Sequence, residues 1–333
     1  MDTIEPLFYG VGMRPIYRDE PCRTALNRVR NMSFSWSLNP YMGCVHQCTF
    51  CFVRAFERMA DRPYDARYGT SIRVKTNFVE VLTRELARRS WRREHVAIGT
   101  ATDPYQPAEG RFRLTRGSII ALGEARTPFG LITRGPLIVR DVDVLSAASV
   151  RAKVGVTFSI PTLDHEIWRR TEPGTAPPRQ RLRAIRTLTD AGIDASVGMA
   201  PILPGISDDP AAMATVVRAA RDAGATSIWA NVLYLKPGTR EHFLENLARD
   251  WPELLPRYES LYAGRAYVAN DVVKGVRSKV RELTHEHGIA DRRKRPLVPE
   301  QEPSDEQLPL TAFIQANGEV GAMTADARKG GST

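Results

Sequence analysis

The sequence predicts an α/β protein built on parallel strands. Short apolar runs alternate with amphipathic helical stretches over most of the 333 residues, and parallel neighbours need such crossover helices. Six of the runs read as strands, beginning near residues 35, 96, 131, 153, 195 and 227. The hydrophobic fraction of 42% supports a large core, as one unit or as two smaller domains. A complete (β/α)8 barrel needs eight strands, so this pattern falls short of one.

Residues 1–34 read as an irregular extension with Pro6, Pro15 and Pro21, forming a small hairpin or a strap across the core. A strand at 35–39 runs directly into a cysteine-rich loop. Asn77 and Glu80 have the spacing of a capping box, and Phe78, Leu82 and Leu86 repeat every four residues behind them. A helix to about residue 91 follows. Strands are predicted at 96–100, 131–133, 153–159, 195–200 and 227–233. Helices are predicted between them at 115–125, 142–149, 177–191 and 209–223. Pro177 and Pro178 suit a first helical turn. Three further helices, at 239–248, 252–263 and 270–287, follow the last strand. From Arg292-Arg293-Lys294-Arg295 onward the chain is first basic and then without periodicity, and it reads as disordered. The domain boundaries are therefore an extension (1–34), a barrel core (35–240), a helical region (241–291) and a tail (292–333).

No run of 18 apolar residues is present, so no membrane span is expected. The first residues lack a basic and apolar leader, and a signal peptide is not expected. Only four cysteines occur, three of them crowded together, which argues against a disulfide framework and for a reducing cytoplasm. The net charge is +9, from 47 Lys and Arg against 38 Asp and Glu. Such a surface attracts polyanions such as nucleic acid; the same arginines equally well keep a protein soluble. Arg179, Arg183 and Arg186 share one helix face opposite Leu182, Ile185 and Leu188, the pattern of a solvated outer face.

The chemistry concentrates in Cys44-Val45-His46-Gln47-Cys48-Thr49-Phe50-Cys51. Three readings fit this C-x3-C-x2-C triplet. One is a zinc site completed by Cys22 or His46. Another is a ferredoxin-like cluster with Cys22 as fourth ligand. The third is a cubane iron–sulfur cluster whose fourth iron is left open to a substrate or cofactor. The loop leaves the first strand, and in β/α barrels the site lies at the carboxyl ends of the strands.

The triplet resembles the defining motif of the radical S-adenosylmethionine (SAM) superfamily. The entrance Asn39-Pro40-Tyr41-Met42-Gly43-Cys44 is similar to that of its spore photoproduct lyase-like branch. The resemblance implies a partial (β/α)6 TIM-like barrel with an N-terminal extension and C-terminal helices. It implies a [4Fe–4S] cluster on Cys44, Cys48 and Cys51, with S-adenosyl-L-methionine on the open iron. One electron from a flavodoxin- or ferredoxin-type reductant then cleaves SAM to methionine and a 5′-deoxyadenosyl radical, which takes a hydrogen atom from substrate. The cofactor contacts implied are Phe50 beside the adenine, Thr102 and Asp103 on the amino group, Arg134 on the carboxylate, Ser159 on the ribose or carboxylate, and Ile202 packed on the adenine. Thr102 and Asp103 stand where many members carry a Gly-Gly-Glu stretch. Gly43 would permit close backbone approach, and Asn231 and Tyr234 would face substrate. One departure limits the likeness. Thr100 occupies the place of the photoproduct lyases' hydrogen-donating cysteine, and an alcohol O–H bond is too strong for that role. The expected substrate is a nucleic acid or nucleotide. The alternatives are a small metabolite or peptide, or an electron carrier that does not turn over SAM.

Overall fold

The computed structural model describes residues 15–30 and 32–291. Pro6, the basic run at Arg292–Arg295 and the remaining tail lie outside the described residues. In chain order the strands are β1 (Ile16–Asp19), β2 (Leu26–Arg28), β3 (Trp36–Leu38), β4 (Tyr41–Met42), β5 (Ser71–Val74), β6 (Val96–Ile98), β7 (Phe129–Thr133), β8 (Val154–Ser159), β9 (Asp194–Ile202), β10 (Ser227–Val232) and β11 (Ala290–Asp291). The helices are α1 (Val53–Met59), α2 (Phe78–Leu86), α3 (Ala108–Phe112), α4 (Leu114–Glu124), α5 (Val142–Ser149), α6 (His165–Thr171), α7 (Pro178–Asp190), α8 (Pro210–Asp222), α9 (Thr239–Asp250), α10 (Leu255–Leu261) and α11 (Asn270–Glu286).

The main sheet has the order β11-β10-β9-β8-β7-β6-β3-β2. Its six central strands, β3 and β6 to β10, run parallel to one another, and they are the six expected from the sequence. The sheet stays open. Antiparallel β2 flanks β3 at one edge, and parallel β11 follows β10 at the other. Both edge strands hold backbone groups that would otherwise lie unpaired. Successive residues of β7, β8 and β9 are buried on both faces, as a helix-covered parallel sheet requires. Leu38, Ile98, Leu131, Phe158 and Val197 are among the buried side chains of its main core.

A second, three-stranded sheet, β1-β5-β4, lies outside this pattern. Its strands are too short to announce themselves by periodicity, and long-range pairing defines them. Residue 15 onward therefore does not form a separate hairpin: β1 joins β5, and β2 joins β3. The capping box expected at Asn77 is also absent. The Asn77 amide instead brackets the backbone of Cys22, accepting from its N–H at 2.8 Å and donating to its carbonyl at 3.0 Å. That fixes the incoming chain against α2. On α7, Arg179, Arg183 and Arg186 point outward as expected, but Arg181 is fully buried.

After β10, helices α9 and α10 build a second apolar cluster that includes Leu235, Phe243, Tyr258 and Tyr262 and reaches Cys48 and Phe50. Helix α11 packs back on β10 and α8. Among the described residues no helix is long and apolar enough to cross a membrane. Phe129 stands fully buried at the start of β7, between β6 and β8. Phe129→Ala is expected to lower unfolding stability by about 3–5 kcal/mol, measured by chemical denaturation.

Candidate active site

The cysteine loop follows β3 and stands at the carboxyl end of the parallel sheet. Gly43, at φ +85°, lies close against β5: a Cβ there would be 2.8 Å from the Ser71 carbonyl. Cys44 and Cys48 are buried, and Cys51 is partly exposed. Helix α1 begins two residues later. The Cys51 carbonyl accepts from the Arg54 N–H at 3.2 Å and from Thr239 Oγ1 at 3.1 Å, so the end of the loop is tied to α9. Gly69, at φ +84°, closes on the Cys44 carbonyl, where a Cβ would come within 2.3 Å.

Burial pushes the Cys48 and Cys51 thiols up, and the nearness of the other cysteine sulfurs adds to this. Thiols in such a place ionise when a metal supplies the compensating charge. Cys22 stands apart, with Asn77 on its backbone and Lys75 and Glu85 as the charges acting on it. His46 turns to Asp103 at 3.4 Å. Cys22 is thus engaged away from the loop, while His46 is held between Asp103 and Cys44. Among the described residues no three His, Cys, Asp or Glu converge on a single ion. Three soft thiols on one short loop, two of them buried, fit an iron–sulfur group in which each thiolate would take a different iron.

The loop is held from below by the turn after β6. Thr102 Oγ1 donates to the Gly43 carbonyl at 2.7 Å and accepts from Gln106 Nε2 at 2.9 Å. Gln106, fully buried, also donates to the Gly43 carbonyl at 3.0 Å and accepts from the Val45 N–H at 3.2 Å, so it spans Cys44. Asn39 accepts from the Ala101 N–H at 2.8 Å and donates to Thr100 Oγ1 at 3.2 Å. Thr100 thus anchors the loop entrance.

Asp103 is buried, and its carboxylate faces several donors. Oδ1 accepts from the Tyr105 N–H at 2.9 Å and from Thr133 Oγ1 at 2.7 Å. Oδ2 accepts from the Arg134 N–H at 2.7 Å and faces His46 Nδ1. Burial alone would raise its carboxyl; His46 first, and then the other donors, bring it down to about 2. Burial likewise opposes the charge on His46, but Cys44 and Asp103 lift it to about 10.

Arg134 follows β7. Its Nε donates to Glu172 Oε1 at 2.9 Å, and its guanidinium carbon lies 5.5 Å from the Phe50 ring centroid. Glu172 Oε2 accepts from Arg181 NH2 at 2.5 Å, while Arg181 NH1 holds the Ser159 carbonyl at 2.7 Å. Burial works against the Arg134 charge, but Glu172 and Cys48 outweigh it and the net shift is upward. Burial also raises the Glu172 carboxyl; Arg181 and then Arg134 overcome this and hold it below the usual range. The three groups carry a net positive charge, and Arg134 is the member that keeps some exposure.

The structure thus gathers Phe50, Thr102, Asp103, Arg134 and Ser159 around the carboxyl ends of β3, β6, β7 and β8. Ile202 ends β9 with its side chain fully buried in the main core and its carbonyl accepting from the Leu233 N–H at 3.0 Å. Asn231 Oδ1 accepts from Arg277 NH2 at 2.8 Å. Tyr234 lies against Phe52, with ring centroids 6.0 Å apart. The sequence reading missed Gln106, Glu172 and Arg181. Glu172 and Arg181 are nine residues apart with a loop between them, and Gln106 sits in an irregular turn. No periodicity signals such partners.

The fold and this site define an α/β protein with an open parallel barrel and a buried cysteine triplet at its mouth. The chain belongs to the radical SAM superfamily, whose family model matches residues 38–217. It is 37% identical over 311 residues to an uncharacterized protein of Mycobacterium tuberculosis, covering 92% of this chain and 90% of that one. It is 25% identical over 233 residues to an uncharacterized protein of Acidianus two-tailed virus, covering 66% of this chain and 73% of that one. Spore photoproduct lyase, solved in complex with dinucleoside spore photoproduct, has the same fold. The TM-score is 0.63 at 15% identity, over 81% of this chain and 79% of that one.

Removing one member of a buried ion triad leaves charges uncompensated. Glu172→Gln is therefore expected to lower stability by about 3–5 kcal/mol in urea denaturation.

Proposed function

We propose that this protein is a radical SAM enzyme that cleaves S-adenosyl-L-methionine and takes a hydrogen atom from a nucleic acid or nucleotide. The observation that carries the cleavage step is the buried thiol triplet at the barrel mouth with Arg134 beside Cys48. Cys44, Cys48 and Cys51 would hold a [4Fe–4S] cluster. When bound, that cluster supplies the single electron that splits SAM into methionine and a 5′-deoxyadenosyl radical.

The chain's own residues bind, orient and shield. Arg134 offers its guanidinium to the SAM carboxylate, already oriented by Glu172 and by the Phe50 ring. Phe50 and the buried faces of Leu203 and Val232 keep water from the reacting atoms. Thr102, Gln106 and Asp103 have their polar atoms on protein partners, and we assign them to positioning the cysteine loop. Ile202 contributes backbone and packing rather than a polar contact. A flavodoxin- or ferredoxin-type protein would deliver the electron.

The substrate reading rests on the net charge of +9 and on an aromatic face near the thiols. Tyr267 is 58% exposed and stacks on Tyr234 with centroids 5.4 Å apart and planes 18° apart. Its outer face suits a nucleobase. Thr100 offers no hydrogen to return, so the reaction differs from a lyase that relies on a thiol at this place.

Anaerobic reconstitution with iron and sulfide, followed by dithionite and SAM, is expected to yield 5′-deoxyadenosine by chromatography. Replacing Cys44, Cys48 or Cys51 by Ala should abolish it. An intact, reduced cluster without this product would sink the enzyme reading. Binding to single-stranded DNA or RNA should weaken steeply with salt, and Tyr267→Ala should cost about 1–3 kcal/mol. No retention at low salt would redirect the search to small metabolites or peptides.

A further inference from the structure

Arg54 is a buried cation without a carboxylate. It lies on α1, three residues after Cys51, and is 1% exposed. Its NH1 donates to the Tyr64 carbonyl at 2.7 Å and to the Asp65 carbonyl at 2.6 Å. Its guanidinium carbon lies 4.8 Å from the Tyr68 ring centroid, and Nε finds no partner among the described residues. The Asp65 carboxylate is turned to Arg67 at the surface. Carbonyls and a ring solvate a cation, but they carry no opposite charge. A full charge in such a place is costly without a counter-ion. The other arginines described at the site have one: fully buried Arg181 and part-buried Arg134 share Glu172. The groups acting on Arg54 are Cys51 first, then Tyr68, Cys48 and Asp65, and the two thiols become anionic on binding metal. Tyr68 itself bridges Arg54 and Cys51, its hydroxyl 4.0 Å from Cys51 Sγ and its ring under the guanidinium.

We propose that the counter-ion of Arg54 is the thiolate-bound iron–sulfur cluster, and that Arg54 thereby raises the cluster's reduction potential. This rests on the cluster reading given above. Three thiolates around a cubane leave a net negative charge in both oxidation states, larger by one in the reduced form. A fixed positive charge nearby therefore favours the reduced form. In the redox step one electron passes from the external reductant to the cluster; no covalent bond forms or breaks, and Arg54 keeps its proton. Among the described residues Arg54 is thus a tuning group rather than a ligand. Its role differs from that of Arg134, which is held by an ion pair with Glu172 that it shares with Arg181.

The test uses full-length protein reconstituted anaerobically, with iron content checked, in a redox titration followed by electron paramagnetic resonance of the reduced cluster. Arg54→Met is expected to lower the reduced-to-oxidised ratio at fixed potential about tenfold, a shift of about 59 mV for one electron. Arg54→Lys should retain most of the wild-type value. A second measurement compares thermal melting of the apo and cluster-loaded forms. If Arg54 pairs with the cluster, the gain in melting temperature on loading shrinks in Arg54→Met. If Arg54 merely holds the Tyr64–Asp65 turn, both forms melt lower by the same amount and the midpoint is unchanged, which overturns the proposal. Wild-type protein that binds no iron–sulfur cluster would overturn the cluster reading, and this inference with it.

Discussion

One buried carboxylate, that of Asp103, ties the site to the fold. Its two oxygens take the Tyr105 N–H, the Thr133 hydroxyl, the Arg134 N–H and His46, so the end of β7, the turn after β6 and the cysteine loop meet at one group. Burial works against the charge on this carboxylate, and His46 with the other converging donors outweighs it. That dependence runs both ways. Besides His46, the donors are two backbone N–H groups and a hydroxyl, which would be unsatisfied if the carboxylate were withdrawn. The geometry of the cysteine loop is therefore set by the same network that terminates two central strands.

Charge at the mouth of the barrel is arranged in two ways. Arg134 and Arg181 are compensated by a common carboxylate, which orients Arg134 while leaving the triad with an excess positive charge. Among the described residues Arg54 has no ion pair with a carboxylate, and Tyr64 and Asp65 meet it through their carbonyls. In the proposed function the first kind of cation binds the cofactor carboxylate, and in the proposed tuning role the second answers the charge of the cluster.

The parallel core was readable because each central strand is buried on both faces and separated by an amphipathic helix, so apolar runs mark it in the sequence. The six strand positions and the bounds of α5 and α8 follow from that pattern. The small sheet of β1, β5 and β4 left no such trace, since two to four residues cannot show a period. Asn77 illustrates the limit of local rules. Its spacing to Glu80 suggests a cap, yet the incoming chain offers Cys22 as a better-placed pair of backbone groups, and the amide serves those.

The cysteine spacing, the strand that precedes it and the glycine that admits the turn were determined by the sequence alone, because a metal-binding loop is local and its ligands lie within one short run. Its supports were decided only by tertiary structure. Gln106, Glu172, Arg181 and Arg54 act across loops or from neighbouring elements, and a charge or amide becomes meaningful only when folding removes water around it. The cysteines identify what the loop can hold. The buried cations and carboxylates around them come from distant parts of the chain, and only the fold brings them to the loop.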